Sequence, residues 1–142
     1  MFKYLLKFVK GIIAFVFFGI LLLKHTYKTQ MEGVVKLKNA PGVATITREE
    51  ETQIAHIYGD TLEAALYAQG YAHAQTRLWQ MQMTRLAAQG RISEFFGEKA
   101  INIDKFMRVM EFYSLSEKSV KLFDEKETAL YSSYLDGIND YV

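Results

Sequence analysis

Cysteine is absent from this sequence of 142 residues, and proline occurs once, at Pro41. Without thiols there is no disulfide framework and no thiolate metal site, and the redox compartment stays open. Histidine is scarce too. His25, His56 and His73 are dispersed, with no HExxH or similar ligand spacing, which excludes a zinc site built from these side chains. Ser93, Ser114, Ser116, Ser119, Ser132 and Ser133 supply hydroxyls, but none lies in a G-x-S-x-G elbow or an S-x-x-K pair. No basic stripe with interleaved aromatics follows residue 30, so nucleic acid is excluded as a partner. Acidic residues are missing from the first 29 positions altogether.

What is present divides near residue 30. Five of the seventeen basic residues precede Met31, so Met31 to Val142 carries 12 − 16 = −4 beneath an overall charge of +1. Gly11 to Leu23 is an uncharged apolar run, preceded by Lys3, Lys7 and Lys10 and followed by Lys24 and Lys28. A helix from Tyr4 to Leu23 rises roughly 30 Å, the depth of a bilayer core, with Lys7 and Lys10 snorkelling to one interface. The apolar run alone is too short. A cleaved signal peptide has the same charged start, but Lys24-His25-Thr26-Tyr27-Lys28 offers no small residues for cleavage. The expectation is a retained single-pass membrane anchor over residues 1–30, crossing with residues 4–23. The remainder is expected outside the cytoplasm, in a periplasm or intermembrane space, although lysines at both ends give the positive-inside rule little purchase.

Residues 31–42 read as a polar connector ending in the turn signal Asn39-Ala40-Pro41-Gly42, and the folded region as 43–142. Val43 to Thr47 and Ile54 to Tyr58 are β-rich and flank polar Arg48 to Gln53, which predicts a hairpin. Two strands bury little, so the hairpin needs a larger sheet. Asp60 with Glu63 resembles a capping box that opens a long helix running to Gln89, and Gly90 fits its end. Leu62, Ala65, Leu66, Ala72, Trp79, Met83 and Leu86 mark one helical face; Gln69, His73, Arg77 and Gln80 mark a second, polar stripe. The stretch from Gly70 to Met81 predicts a largely buried helix with internal polar partners. A short helix over Arg91 to Phe96 should end at Gly97, and another should begin at Asn102 or Asp104. Ser114 with Glu117 and Asp124 with Glu127 are further capping-box candidates. An apolar face of Tyr131, Tyr134, Leu135, Ile138, Tyr141 and Val142 then runs to the last residue.

Several groups invite chemistry. His73 beside Arg77 and Gln69 resembles a neutral base, since a neighbouring guanidinium lowers an imidazole pKa. Histidine in an alanine-rich helix more often satisfies local partners. Arg77, Arg85 and Arg91 suit bidentate pairing with carboxylates such as Glu94 or Asp104, and structural use outweighs substrate binding. Glu49-Glu50-Glu51 reads as a solvated turn, and Trp79, Phe95, Phe96 and Met83 as core.

The order of the motifs resembles the beginning of the penicillin acylase (penicillin amidase) family of N-terminal nucleophile hydrolases, over about Thr45 to Val142. Arg48-Glu49 followed by His56-Ile57-Tyr58 is similar to that family's paired strands. Asp60, Gly70-Tyr71-Ala72-His73-Ala74-Gln75, Arg77-Leu78-Trp79-Gln80-Met81, Arg85, Gly90-Arg91-Ile92-Ser93-Glu94, Gly97, Asp104 and Arg108 follow its order and spacing. Tyr134 to Tyr141 looks like its Tyr-Ala-Asp-Gly-Val-Asn-Ala-Tyr helix. The sequence departs from the pattern where Gly-Val-Pro is replaced by Gln53-Ile54-Ala55, with one residue more before His56, and where Thr76 stands for aspartate.

With the anchor read from residues 1–30, the expected fold class is α+β, an N-terminal transmembrane helix followed by a short β-hairpin and several α-helices, and the resemblance implies that the latter are a fragment of an αββα N-terminal nucleophile hydrolase. It implies an α-type chain that needs a β-type partner carrying the N-terminal serine nucleophile, whose own α-amine, of pKa near 8, serves as base. No catalytic, substrate or metal residue is carried over to this chain. His56, His73, Gln75, Arg77, Trp79, Arg85, Gly90, Arg91, Glu94, Asp104 and Arg108 are family-motif positions of structural role. No cofactor is expected here; calcium belongs to the complete family fold, with ligands beyond the position matching Val142. The rival reading is a non-catalytic structural subunit of a membrane complex, derived from the same fold, whose apolar helix docks among other subunits.

Overall fold

The computed structural model describes residues 2–26 and 32–142. These fall into two compact units, Met1–Val35 and Lys36–Val142. The change of composition near residue 30 and the first residue of the expected connector lie outside the described residues.

The first unit is built on α1, Phe2–Thr26, 25 residues long. Its large apolar side chains from Val9 to Leu23 are exposed, Phe15 at 79% among them. Among the described residues no helix is long and apolar enough to cross a membrane. The expected transmembrane anchor, its membrane partner and the extracytoplasmic placement drawn from it are therefore corrected. Lysines at positions 3, 7, 10 and 24 confine the uncharged stretch to Gly11–Leu23. At about 1.5 Å per residue that stretch rises about 20 Å, against a hydrocarbon core of about 30 Å.

The second unit opens with the predicted hairpin, β1 (Ala44–Arg48) and β2 (Ala55–Gly59), antiparallel with Ile46 opposite Ile57. Alternation turns Ala44, Ile46, Ala55 and Ile57 inward, toward the long helix α2, Leu62–Ala88. Helix α2 begins one residue later than expected. Thr61 is the cap, its hydroxyl accepting from the Ala64 amide at 3.1 Å. The Asp60 carboxylate turns back instead to accept from the Val43 amide at 3.1 Å, and so ties the hairpin's first strand to the helix start. At the far end Gly90, at φ 64°, closes a Schellman motif: its N–H donates to Ala87 and that of Arg91 to Leu86.

Short elements follow: α3 (Ser93–Phe96), a 3-10 turn (Gly97–Ala100), α4 (Ile101–Val109) and α5 (Phe112–Val120). Ser114 lies inside α5, so the Ser114–Glu117 capping box does not form; Glu111, at φ 54°, makes the bend that starts the helix. Asp124 and Glu127 do form the reciprocal box that opens α6, Glu125–Tyr141. Helix α6 packs along α2 as the principal contact of the unit. The approach is set by two glycines. A Cβ on Gly70 would stand 2.0 Å from the Tyr134 carbonyl oxygen, and one on Gly137 2.0 Å from that of Tyr67. The core that results is made of small side chains with Tyr67 and Leu86.

Candidate functional site

Helix α2 places most of the motif residues, and it is bent among them. Arg77 has φ −138° and ψ 20°, outside helical values. Neither proline nor glycine stands at the bend, but the Thr76 hydroxyl donates to the Ala72 carbonyl at 2.9 Å, with the His73 carbonyl at 3.4 Å. Such back-bonding competes with the helix ladder and bends it. The departure from the motif at Thr76 thus has a local cause and a local effect.

Around the bend, two faces separate. Toward α6, the His73 imidazole Nδ1 lies 3.0 Å from the Tyr134 hydroxyl, with the rings edge to face, and Tyr71 meets Tyr141 likewise. The Tyr67 hydroxyl donates to Asp140 at 2.5 Å. The same carboxylate accepts the Asn39 side-chain amide at 2.6 Å, which pins residue 39 to the end of α6. Burial, then the Asp140 hydrogen bond and charge, push the Tyr67 phenol well up. The Tyr67 hydrogen bond, with those from Asn39, holds Asp140 below its ordinary value despite the cost of burial. Toward the hairpin, Arg48 donates to the Gln75 side-chain oxygen at 2.6 Å. His56 sits opposite Thr47 with its side chain exposed.

The opposite side of α2 is open, which corrects the expectation of a buried helix from Gly70 to Met81. His73, Arg77, Trp79 and Gln80 are exposed, Trp79 by 62% with only the edge of Phe95 against it. The alternation of buried alanines, Ala72 and Ala74, with polar neighbours reflects a helix covered on one side by α6 and the hairpin. A groove of about 720 Å³ runs between the hairpin and α2, lined in part by Arg48, Gln53, Ile54, Gln69, His73 and Arg77. A second, of about 480 Å³, follows α2 past Arg77, Gln80, Thr84 and Arg85. The polar stripe foreseen in the sequence is the ridge between them.

The remaining motif residues assemble a separate knot at the C-terminal end of α2. Asp104, 6% exposed, accepts from the Ile92 and Ser93 amides at 2.8 and 2.9 Å. Burial pushes its carboxyl up, but the hydrogen bonds of Ser93 and Ile92, with Arg108 nearby, more than offset this and hold it low. Arg108 Nε donates to the Gly90 carbonyl at 3.0 Å. Arg91 grips Glu94 through two bonds of 2.7 and 2.9 Å, as its fork predicts. Asp104 is the residue that sequence reasoning undervalued; a lone acid eleven to twelve positions after two unpaired helix-start amides was the available signal.

Among the described residues no three histidine or carboxylate side chains lie close enough together to hold a metal ion. The hydroxyls of Ser116, Ser119 and Ser133 donate to carbonyls one turn back in their own helices.

The family model described as penicillin amidase matches residues 43–142. The chain belongs to the penicillin amidase family. An acyl-homoserine lactone acylase of Pseudomonas aeruginosa is 38% identical over 82 residues, which is 58% of this chain and 10% of that protein. Penicillin G acylase of Escherichia coli is 28% identical over 93 residues, 66% of this chain and 11% of the relative. The chain thus spans about a tenth of the length of these curated relatives. Among solved structures, a thermostable penicillin G acylase from Alcaligenes faecalis matches with a TM-score of 0.61 at 23% identity, over 70% of this chain and 53% of that one. That likeness establishes the fold: the hairpin and helices of the second unit are penicillin acylase-like.

Proposed function

We propose that this chain is an α-type part of a penicillin acylase-like amidohydrolase, and that it hydrolyses a linear amide bond only together with a chain bearing an N-terminal serine nucleophile. The family match over residues 43–142 is the observation that supports this most directly. The open side of α2, with Trp79 and Arg77 uncovered, supports it from the structural side. In this reading the chain contributes no group to the bond-breaking step. Of its motif residues, Gln75, Gly90, Asp104 and Arg108 hold the hairpin, α2 and α4 in the arrangement on which the other chain rests, while Arg77, Trp79 and Arg85 face outward. The serine hydroxyl of that chain attacks the acyl carbon while its own α-amine takes the proton, a task suited to an amine of pKa near 8. Any calcium is held by residues other than these.

The reading is tested by assaying acyl-nitroanilide hydrolysis with the chain alone and with its co-expressed complementary chain. Turnover is expected only from the pair, and a change of the complementary chain's first serine to alanine should abolish it while the pair stays assembled. Turnover by the purified chain alone, lost on His73→Ala with the fold intact, would overturn the reading in favour of an enzyme working through His73. The rival membrane-subunit reading loses the anchor that helped motivate it, since among the described residues no helix is long and apolar enough to cross a membrane.

A further inference from the structure

The five arginines of the chain are Arg48, Arg77, Arg85, Arg91 and Arg108. Three of them are engaged: Arg48 with Gln75, Arg91 with Glu94, and Arg108 with the Gly90 carbonyl. The Arg77 side chain reaches only the amide oxygen of Gln80, at 3.2 Å, and the Arg85 side chain forms no hydrogen bond or ion pair with another described residue. Both are exposed and both line the same groove, with His73 at its end and no carboxylate along it. The neighbouring groove under the hairpin shares His73, Arg77 and Gln80 and is likewise without a carboxylate. An uncompensated basic ridge therefore stands out in a region whose net charge is acidic. The ridge also holds the non-helical residue of α2, Arg77 itself.

We propose that this ridge is a docking site for an acidic segment of the complementary chain, two of whose carboxylates pair with the Arg77 and Arg85 guanidinium groups. The proposal rests on the two-chain reading above and adds the place and chemistry of the contact. Arg77 and Arg85 are eight positions apart, about 12 Å along the helix axis. Carboxylates four residues apart on an extended segment are spaced by about 13 Å, which matches. The planar fork of each guanidinium accepts a carboxylate through two parallel bonds, and docking removes the pair from solvent, where charge-assisted bonds gain strength. The groove under the hairpin leaves room beside the ridge for the backbone of such a segment.

The test uses the full chain co-expressed with the complementary chain that begins with serine. Arg77→Glu and Arg85→Glu are each expected to weaken retention of that chain at least ten-fold at low salt and to reduce the salt sensitivity of what remains. Arg77→Lys and Arg85→Lys keep the charge and should keep most of the affinity. Circular dichroism of the free variants monitors the fold. Should a reversal unfold the chain, phenylglyoxal labelling of the unaltered protein decides: Arg77 and Arg85 should react in the free chain and be protected in the complex. A complex indifferent to both reversals, or one in which both arginines stay reactive, overturns the docking site and leaves the two-chain reading intact. Failure of the unaltered chain to form any complex overturns both.

Discussion

Gly70 and Gly137 mark the point where residue identity most directly decides the fold. Each lets the opposite helix bring a carbonyl oxygen to where a Cβ would be, so alanine at either position must push α2 and α6 apart. Gly70→Ala is expected to cost about 2 kcal/mol or more, read as a lowered urea midpoint. Gly19→Ala, where nothing lies within 4 Å, serves as the control and should be neutral or stabilising. Asp104 gives a residue-scale prediction of another kind. Its folded pKa lies below the ordinary carboxylate value, so its contribution is present above that ordinary value and is lost as pH falls through the lowered one. Unfolding followed from pH 6 down to pH 2 should show stability falling below about pH 4. In Asp104→Asn the chain should be less stable at pH 6 and lose less on acidification; an unchanged acid profile would contradict the role given to this carboxylate.

Among the elements, the hairpin, the long helix and α6 were legible in the sequence because each is announced by local chemistry: alternating β-formers, a glycine stop and the Asp124–Glu127 box. Local signals were misread where two acceptors compete. Asp60 was the better cap by type, but Val43 takes its carboxylate and Thr61 caps α2 instead. Ser114 offered a cap that the left-handed turn at Glu111 makes unnecessary. The bend at Arg77 was not legible, since back-bonding by Thr76 leaves no mark beyond one hydroxyl in a helix. The replaced Gly-Val-Pro does show its consequence: Gln53 adopts φ 58°, a conformation that favours glycine, to close the turn through Glu49. Gln53→Gly should therefore be neutral to stabilising by up to about 1 kcal/mol, against the usual penalty for glycine. Thermal unfolding checks this, and a loss of stability would show that the Gln53 side chain matters more than its backbone.

At the scale of the whole molecule, the second unit carries a penicillin acylase-like scaffold whose interior is real but narrow. Small residues seal α2 against α6, whereas Trp79, Phe106 and Val109 stay exposed. The candidate site was legible as motif positions but not as geometry. Sequence pattern cannot tell a side chain buried within its own chain from one that another chain covers, because both show the same apolar and polar spacing. The membrane anchor failed for another reason: the expectation counted Lys7 and Lys10 into a span from Tyr4 to Leu23, and no described helix is long and apolar enough to cross. Whether the uncovered side of α2 belongs to an enzyme turns on what rests there. The most direct measurement is N-terminal sequencing of the chain that remains bound to this one through purification. A first residue of serine, on a chain that confers amide hydrolysis, is the predicted result. A folded, stable monomer that binds no such chain would contradict the account.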